Sequence, residues 1–241
     1  FHFDAPYHGG AAMAQAHLDY YHAVDADIVK VMNDSGYAPV GRVVIGEPHD
    51  WRSLKPTPLS DPHFQSHLDG LKRIVDAVGH EAPVMTTCFN PFHEAVAILR
   101  ASHPRAYATE MEARQAWVEQ LRADPESVCQ GMQAITEDLA LFYDACLRQA
   151  GAHGIYFSAQ GGERELMSEA EHARGVKAYD LILLTAIHQA AEFTVGHFCG
   201  RGLALERYAN YPVSLVNWAH QSDNLSLREG RALFGKPVLG G

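Results

Sequence analysis

Short β-branched runs alternate along this chain with longer segments of helical periodicity, and that alternation is the pattern of βα units feeding one parallel sheet. Residues 27–33 (DIVKVMN), 83–88 (PVMTTC), 154–158 (GIYFS), 193–198 (FTVGHF), 213–218 (VSLVNW) and 237–240 (PVLG) read as strands. Between them lie amphipathic helices with start and stop signals. Asp61 precedes Pro62, and Phe64, Leu68, Leu71, Ile74, Val75 and Val78 then recur at helical spacing until Gly79. A further apolar-striped helix runs from Pro91 to about Ser102. Asp124 and Pro125 open a long helix striped by Val128, Met132, Ile135, Leu139, Phe142, Tyr143 and Cys146, so Cys146 reads as core filling rather than a reactive thiol. Ser168 and Glu171 form a capping box that starts a helix to about Ala190. Another helix is expected at 227–234, and 40–45 as a side strand.

The strand starts at Asp27, Pro83, Gly154, Phe193, Val213 and Pro237, with Phe1 to Phe3 as the tail of an earlier strand, give about seven of the eight that barrel closure requires. The 241 residues, 47% of them hydrophobic, are enough to bury one sizeable core, so one domain over 1–241 is expected. An open parallel edge is costly. The expected fold is therefore an α/β protein, a (β/α)₈ TIM barrel cut short at both ends.

Several function classes are disfavoured. A net charge of −10 argues against partners such as nucleic acid or an anionic membrane surface, both of which demand a basic face. No stretch approaches the roughly 18 apolar residues of a membrane span. Cys88, Cys129, Cys146 and Cys199 are widely spaced and are expected as reduced thiols, which fits a cytoplasmic protein.

In a (β/α)₈ barrel the active site is built at the carboxyl ends of the strands. Those positions are polar here: His2 and Asp4, Asn33 and Asp34, Cys88 and Asn90, Ser158 and Gln160, His197 and Cys199, Asn217 and His220. His197 and Cys199, two residues apart, leave their strand on the same side, where an imidazole and a thiolate can share one zinc ion. A hydrogen-bonded His beside a buried Cys is the competing reading, because two ligands are not a site. Asp34 follows an apolar strand, where partial burial would raise its pKa toward proton exchange near neutrality, although Asn33-Asp34-Ser35-Gly36 is also ordinary turn chemistry.

The runs AHLDYYHAVDADIVKVMNDSGY, FNPFHEA, GAHGIYFSAQGG and YPVSLVNWAHQSDNLSLREGRALFGKPVLGG together resemble the uroporphyrinogen decarboxylase family, which includes cobalamin-dependent methyltransferases acting on thiols. The resemblance extends from about Ala16 to the last residue and implies a (β/α)₈ barrel. It also implies, for the methyltransferase branch, zinc held by a His-x-Cys pair matching His197 and Cys199, with a later Cys that would fall beyond Gly241. For the decarboxylase branch it implies N-terminal arginines that clamp the substrate's carboxylates and an Asp that Asp34 matches only loosely. No arginine precedes Arg42, and the tyrosine of the decarboxylase pattern is replaced near Ala97.

The expected function is thus a zinc-dependent methyltransferase-like enzyme that moves a methyl group from a corrinoid to a thiol. In this reading His197 and Cys199 bind metal, Asp34 and His220 act in catalysis, and His2, Asn33, Asn90, Gln160 and Asn217 contact substrate. A corrinoid protein and a second copy of the chain are the expected macromolecular partners. The alternatives are decarboxylation of uroporphyrinogen and a non-catalytic barrel binding a tetrapyrrole or corrinoid.

Overall fold

A computed structural model describes residues 2–240. Its centre is one sheet of five parallel strands, β1 (Val29–Val31), β2 (Val84–Phe89), β3 (Gly154–Ala159), β4 (Phe193–Phe198) and β5 (Leu215–Trp218), ordered as they occur in the chain. Each strand pairs with its predecessor, for example Val31 beside Thr86, Thr87 beside Tyr156, Ser158 beside His197 and His197 beside Asn217. This is a TIM-barrel-like α/β arrangement.

Helices α1 (Gly10–Val24), α2 (Pro62–Val78), α3 (Pro91–Ser102), α4 (Glu110–Ala123) and α5 (Pro125–Arg148) form the first part of the helical layer. The start signals work as read. The Asp61 carboxylate accepts from the His63 amide at 2.9 Å, Asp124 accepts from the Ser127 amide, and Ser168 with Glu171 closes its box, each satisfying backbone donors that a helix start leaves unpaired. Phe64, Leu68, Leu71, Ile74 and Val78 of α2 and Val128, Met132, Ile135, Leu139, Phe142 and Tyr143 of α5 are buried in one apolar core with the sheet. Cys146 is fully buried there, and no cysteine of the described residues is in a disulfide. No described helix is long and apolar enough to cross a membrane.

The helix after β3 is a composite. α6 (Glu169–His172) runs through a single wide π turn (Ala173–Lys177) into α7 (Ala178–His188). Gly175 in that turn lies so close to α4 that a Cβ would stand 2.8 Å from both Trp117 and Leu121, so a side chain there would displace the core. α8 (Leu227–Phe234) follows β5.

Three expectations need correcting. Residues 40–45 form turns rather than a side strand: Gly41 has φ +76°, and the Ile45 backbone is pinned by side chains, its amide donating to Ser102 Oγ at 2.9 Å and its carbonyl accepting from His103. Of the N-terminal strand tail, Phe1 lies outside the described residues, and His2 and Phe3 belong to no strand. About seven strands were expected, whereas five form among the described residues, because 237–240 contributes only an isolated parallel bridge of Val238 to Val216. The direction of that last segment agrees with the sequence reading.

Candidate active site

The period of two along the strands separates the sheet into two faces. Val31, Ile155, Phe157, Phe198, Val216 and Trp218 pack toward the helices and are essentially inaccessible. The opposite, inner face presents Lys30 from β1, Tyr156 from β3, His197 from β4 and Asn217 from β5. These four are in contact. The Tyr156 ring stacks on His197 with centroids 5.2 Å apart, and the Lys30 ammonium stands 4.4 Å from the centre of the same ring. Tyr156 donates its hydroxyl proton to Asn217 Oδ1 at 3.1 Å, and His197 Nδ1 lies 2.5 Å from the same oxygen. Asn217 Nδ2 in turn donates to the Leu239 carbonyl at 2.8 Å. That last bond fixes which way the Asn217 amide points, so its Oδ1 is the acceptor and His197 Nδ1 carries the proton.

The electrostatics follow from this geometry. His197 has its pKa lowered mainly by burial and further by the Lys30 charge, against the opposing hydrogen bond to Asn217, so the imidazole is held neutral with Nε2 as its lone-pair nitrogen. Burial pushes the Tyr156 hydroxyl up to about 12 and keeps it a donor. Cys199 lies one residue past β4, where its amide still donates to Ala159 O at 2.9 Å, so the chain remains extended and Cys199 shares the side of His197. Burial raises the Cys199 thiol, and the opposing pull of Arg114 does not cancel it.

At the rim beyond Cys199 a buried guanidinium, Arg114 of α4, binds Glu163 and the side chain of Gln160 in close contacts and Glu110 at 2.6 Å. Arg164 and Arg201 line a cleft of about 630 Å³ formed by the loops after β3 and β4 together with α4. Both meet carboxylates, Glu206 at 3.5 Å and Asp223 at 2.6 Å.

A sequence model of the family described as uroporphyrinogen decarboxylase (URO-D) matches residues 11–237. The chain belongs to the uroporphyrinogen decarboxylase family. Among solved structures it is similar to a methyltransferase from Methanosarcina mazei, at 16% identity and a TM-score of 0.69, over 98% of this chain and 71% of that one. At that identity the likeness is one of fold. No curated protein matches.

Within this family member the expected site residues separate into three groups. His197 and Asn217 are hydrogen-bonded on the inner face, and Cys199 follows directly after β4. His2 and Asp34 meet at the end of β1, where His2 Nδ1 lies 2.6 Å from Asp34 Oδ1 and the Phe3 amide donates to Asp34 Oδ2 at 2.9 Å. Of the others, Asn33, Asn90 and Gln160 are engaged by the scaffold. Asn33 turns toward α5 and donates to the Tyr143 hydroxyl, while fully buried Asn90 caps α3 and donates to the Gln160 carbonyl and to Asp180. Gln160 accepts from Arg114, and half-buried His220 stands in the turn after β5 with its Nδ1 buried and without a partner among the described residues. No group of three or more His, Cys, Asp or Glu side chains among the described residues is placed to hold a metal ion.

Sequence reasoning missed Lys30, Tyr156 and Arg114. The first two sit in mid-strand rather than at strand ends, and a Lys and a Tyr interrupting apolar runs, DIVKVM and GIYFS, were the available signal. Arg114 belongs to α4, which announces itself only by the Thr109–Glu112 capping box.

Proposed function

We propose that this family member is a zinc-dependent methyltransferase that moves a methyl group from a corrinoid to a thiol, and that its sheet is the larger part of a (β/α)₈ barrel. The observation that carries the reading is the Asn217-directed tautomer of His197 beside Cys199. A neutral imidazole that donates through Nδ1 to a fixed amide oxygen offers Nε2 as a ligand, the arrangement in which metal-binding histidines are oriented. With the Cys199 sulfur on the same side, the pair supplies one nitrogen and one sulfur donor, which suits zinc, and amounts to half of a four-coordinate shell. Bound there, zinc would lower the pKa of a substrate thiol and so supply the attacking thiolate. The chain's own residues do the rest. Asn217 holds the His197 tautomer, Tyr156 braces Asn217 and covers one face of the imidazole, and Asp34 with His2 and His220 borders the mouth.

The burial of Cys199 fits this assignment, since a thiol whose pKa is raised by desolvation ionises readily only when a cation compensates it. Decarboxylation of uroporphyrinogen is less well supported. An octacarboxylate needs several free guanidinium groups, whereas Arg114, Arg164 and Arg201 are each already paired with carboxylates.

The test is metal content. The full-length protein, purified without chelator, should carry one zinc per chain, and a Cys199→Ala variant that keeps its fold should lose it. Metal-free wild type, or equal zinc in both proteins, would remove the methyltransferase reading.

A further inference from the structure

We infer that Lys30 is the anion-binding residue of the inner face, and that it holds a singly charged carboxylate or sulfonate group of the substrate beside Tyr156 and His197. The inference rests on the reading that this face is the reaction site, and not on the metal.

Lys30 stands between Val29 and Val31, which are buried against the helices, so the strand period alone places its side chain on the inner face. Its ammonium lies over the Tyr156 ring, which attracts a positive charge but accepts none of its three protons in a conventional hydrogen bond. Among the described residues Lys30 has no hydrogen bond and no ion pair. The carboxylate whose charge it feels most, Asp34, is engaged through one oxygen by His2 and through the other by the Phe3 amide. A half-buried cation with unused donors is costly unless something supplies acceptors. Neighbouring Tyr156 and Asn217 are neutral, and both oxygens of Asp34 are already engaged, so the Lys30 donors are left for a small anion brought by a ligand. Arg114 nearby shows the contrast, since two carboxylates and an amide already satisfy it.

Burial also draws the Lys30 pKa down, as expected of an ammonium taken partly out of water without a paired anion. A bound anion would reverse that trend, so affinity and protonation reinforce each other.

The full protein, with its histidines isotopically labelled, would be titrated with acetate and with methanesulfonate at fixed ionic strength while the His197 ring resonance is followed. Wild type should show a saturable shift. Lys30→Met should weaken it at least about tenfold, the effect of losing one charge-assisted contact, and Lys30→Arg should retain most of it. Lys30→Gln serves if the Met variant does not fold. No saturable shift in wild type, or equal affinity in the neutral variants, would overturn the inference. Zinc content measured on the same samples keeps the two readings apart: anion binding without zinc sinks the metal assignment alone, and zinc without anion binding sinks only the role of Lys30.

Discussion

On the helix side of the sheet, Phe198 stacks on Tyr208 at 4.4 Å and on Phe234 at 5.2 Å, and Trp218 packs against the same Phe234. On the other side of the same strands, one residue away, His197 and Asn217 share a hydrogen bond within reach of a lysine and a tyrosine. Strands of parallel sheets covered on both faces usually read as nearly continuous apolar runs. Here one face keeps that rule and the other breaks it at Lys30 of β1, Tyr156 of β3, His197 of β4 and Asn217 of β5. The first face is packed as core, whereas the polar residues of the second make hydrogen bonds and ring contacts with one another.

The sharpest way to break this division is Phe198→Ala. It should cost roughly 3–5 kcal/mol in denaturant unfolding, as removal of a fully buried aromatic side chain does, while any protein that remains folded should keep the hydrogen bond of His197 to Asn217 and the metal content measured for wild type. A loss below about 1 kcal/mol would show that the helix-facing side does not carry the core.

A second, smaller effect is pH-dependent. Glu94 of α3 is fully buried, with Oε1 lacking any partner among the described residues, and burial pushes its carboxyl up to about 8. Because the folded pKa lies above the unfolded value of about 4.3, the proton is bound more tightly in the native state. The associated stability is fully present below about pH 4 and is lost as pH rises through about 8. Asp180, raised to about 7 by burial while accepting from Tyr211 and Asn90, acts in the same direction. Unfolding free energy should therefore fall as pH rises from 5 to 8. Glu94→Gln should flatten that slope, and an unchanged slope would mean that the helical layer accommodates the charge.

The smallest effect belongs to the inner face. Tyr156→Phe keeps the ring but removes the bond to Asn217, and should cost only about 0.5–1.5 kcal/mol of stability. A cost as large as that of Phe198→Ala would mean that the inner face is core as well.

The same division explains what could be read in the sequence. Strand starts at Pro83 and Gly154 were legible because β-branched or aromatic runs are bounded there by Pro and Gly, and the start at Phe193 was legible from its run FTV. β1 is shorter than the run 27–33 because Met32 and Asn33 already turn out of the ladder, Asn33 being drawn to Tyr143. α4 went unread because charged residues dilute its stripe of Ala113, Trp117, Val118 and Leu121. His197, Cys199 and Asn217 stand at strand ends, and the inner-face hydrogen bond of His197 to Asn217 agrees with the position read for them. Asn33 and Asn90 share that address but serve as scaffold, because polarity at a strand end does not say which side of the sheet a side chain faces. Lys30 is not at a strand end, and its long side chain reaches the inner-face cluster from a lower level of its strand.

The π turn at Ala173–Lys177 bears on how relatives are to be aligned with this chain. A wide turn inside a continuous helical rod takes up one residue more than an α turn, so the sequence stripe after it is out of phase by one residue with the stripe before it. A relative without the turn would be one residue shorter with no loop to show for it, and the gap would fall in mid-helix, where alignments rarely put one. Misplacing it by a turn would shift Asp180 off its partners. The bond from the Tyr211 hydroxyl to Asp180, at 2.8 Å, is therefore the landmark by which the helix registers of distant members can be matched.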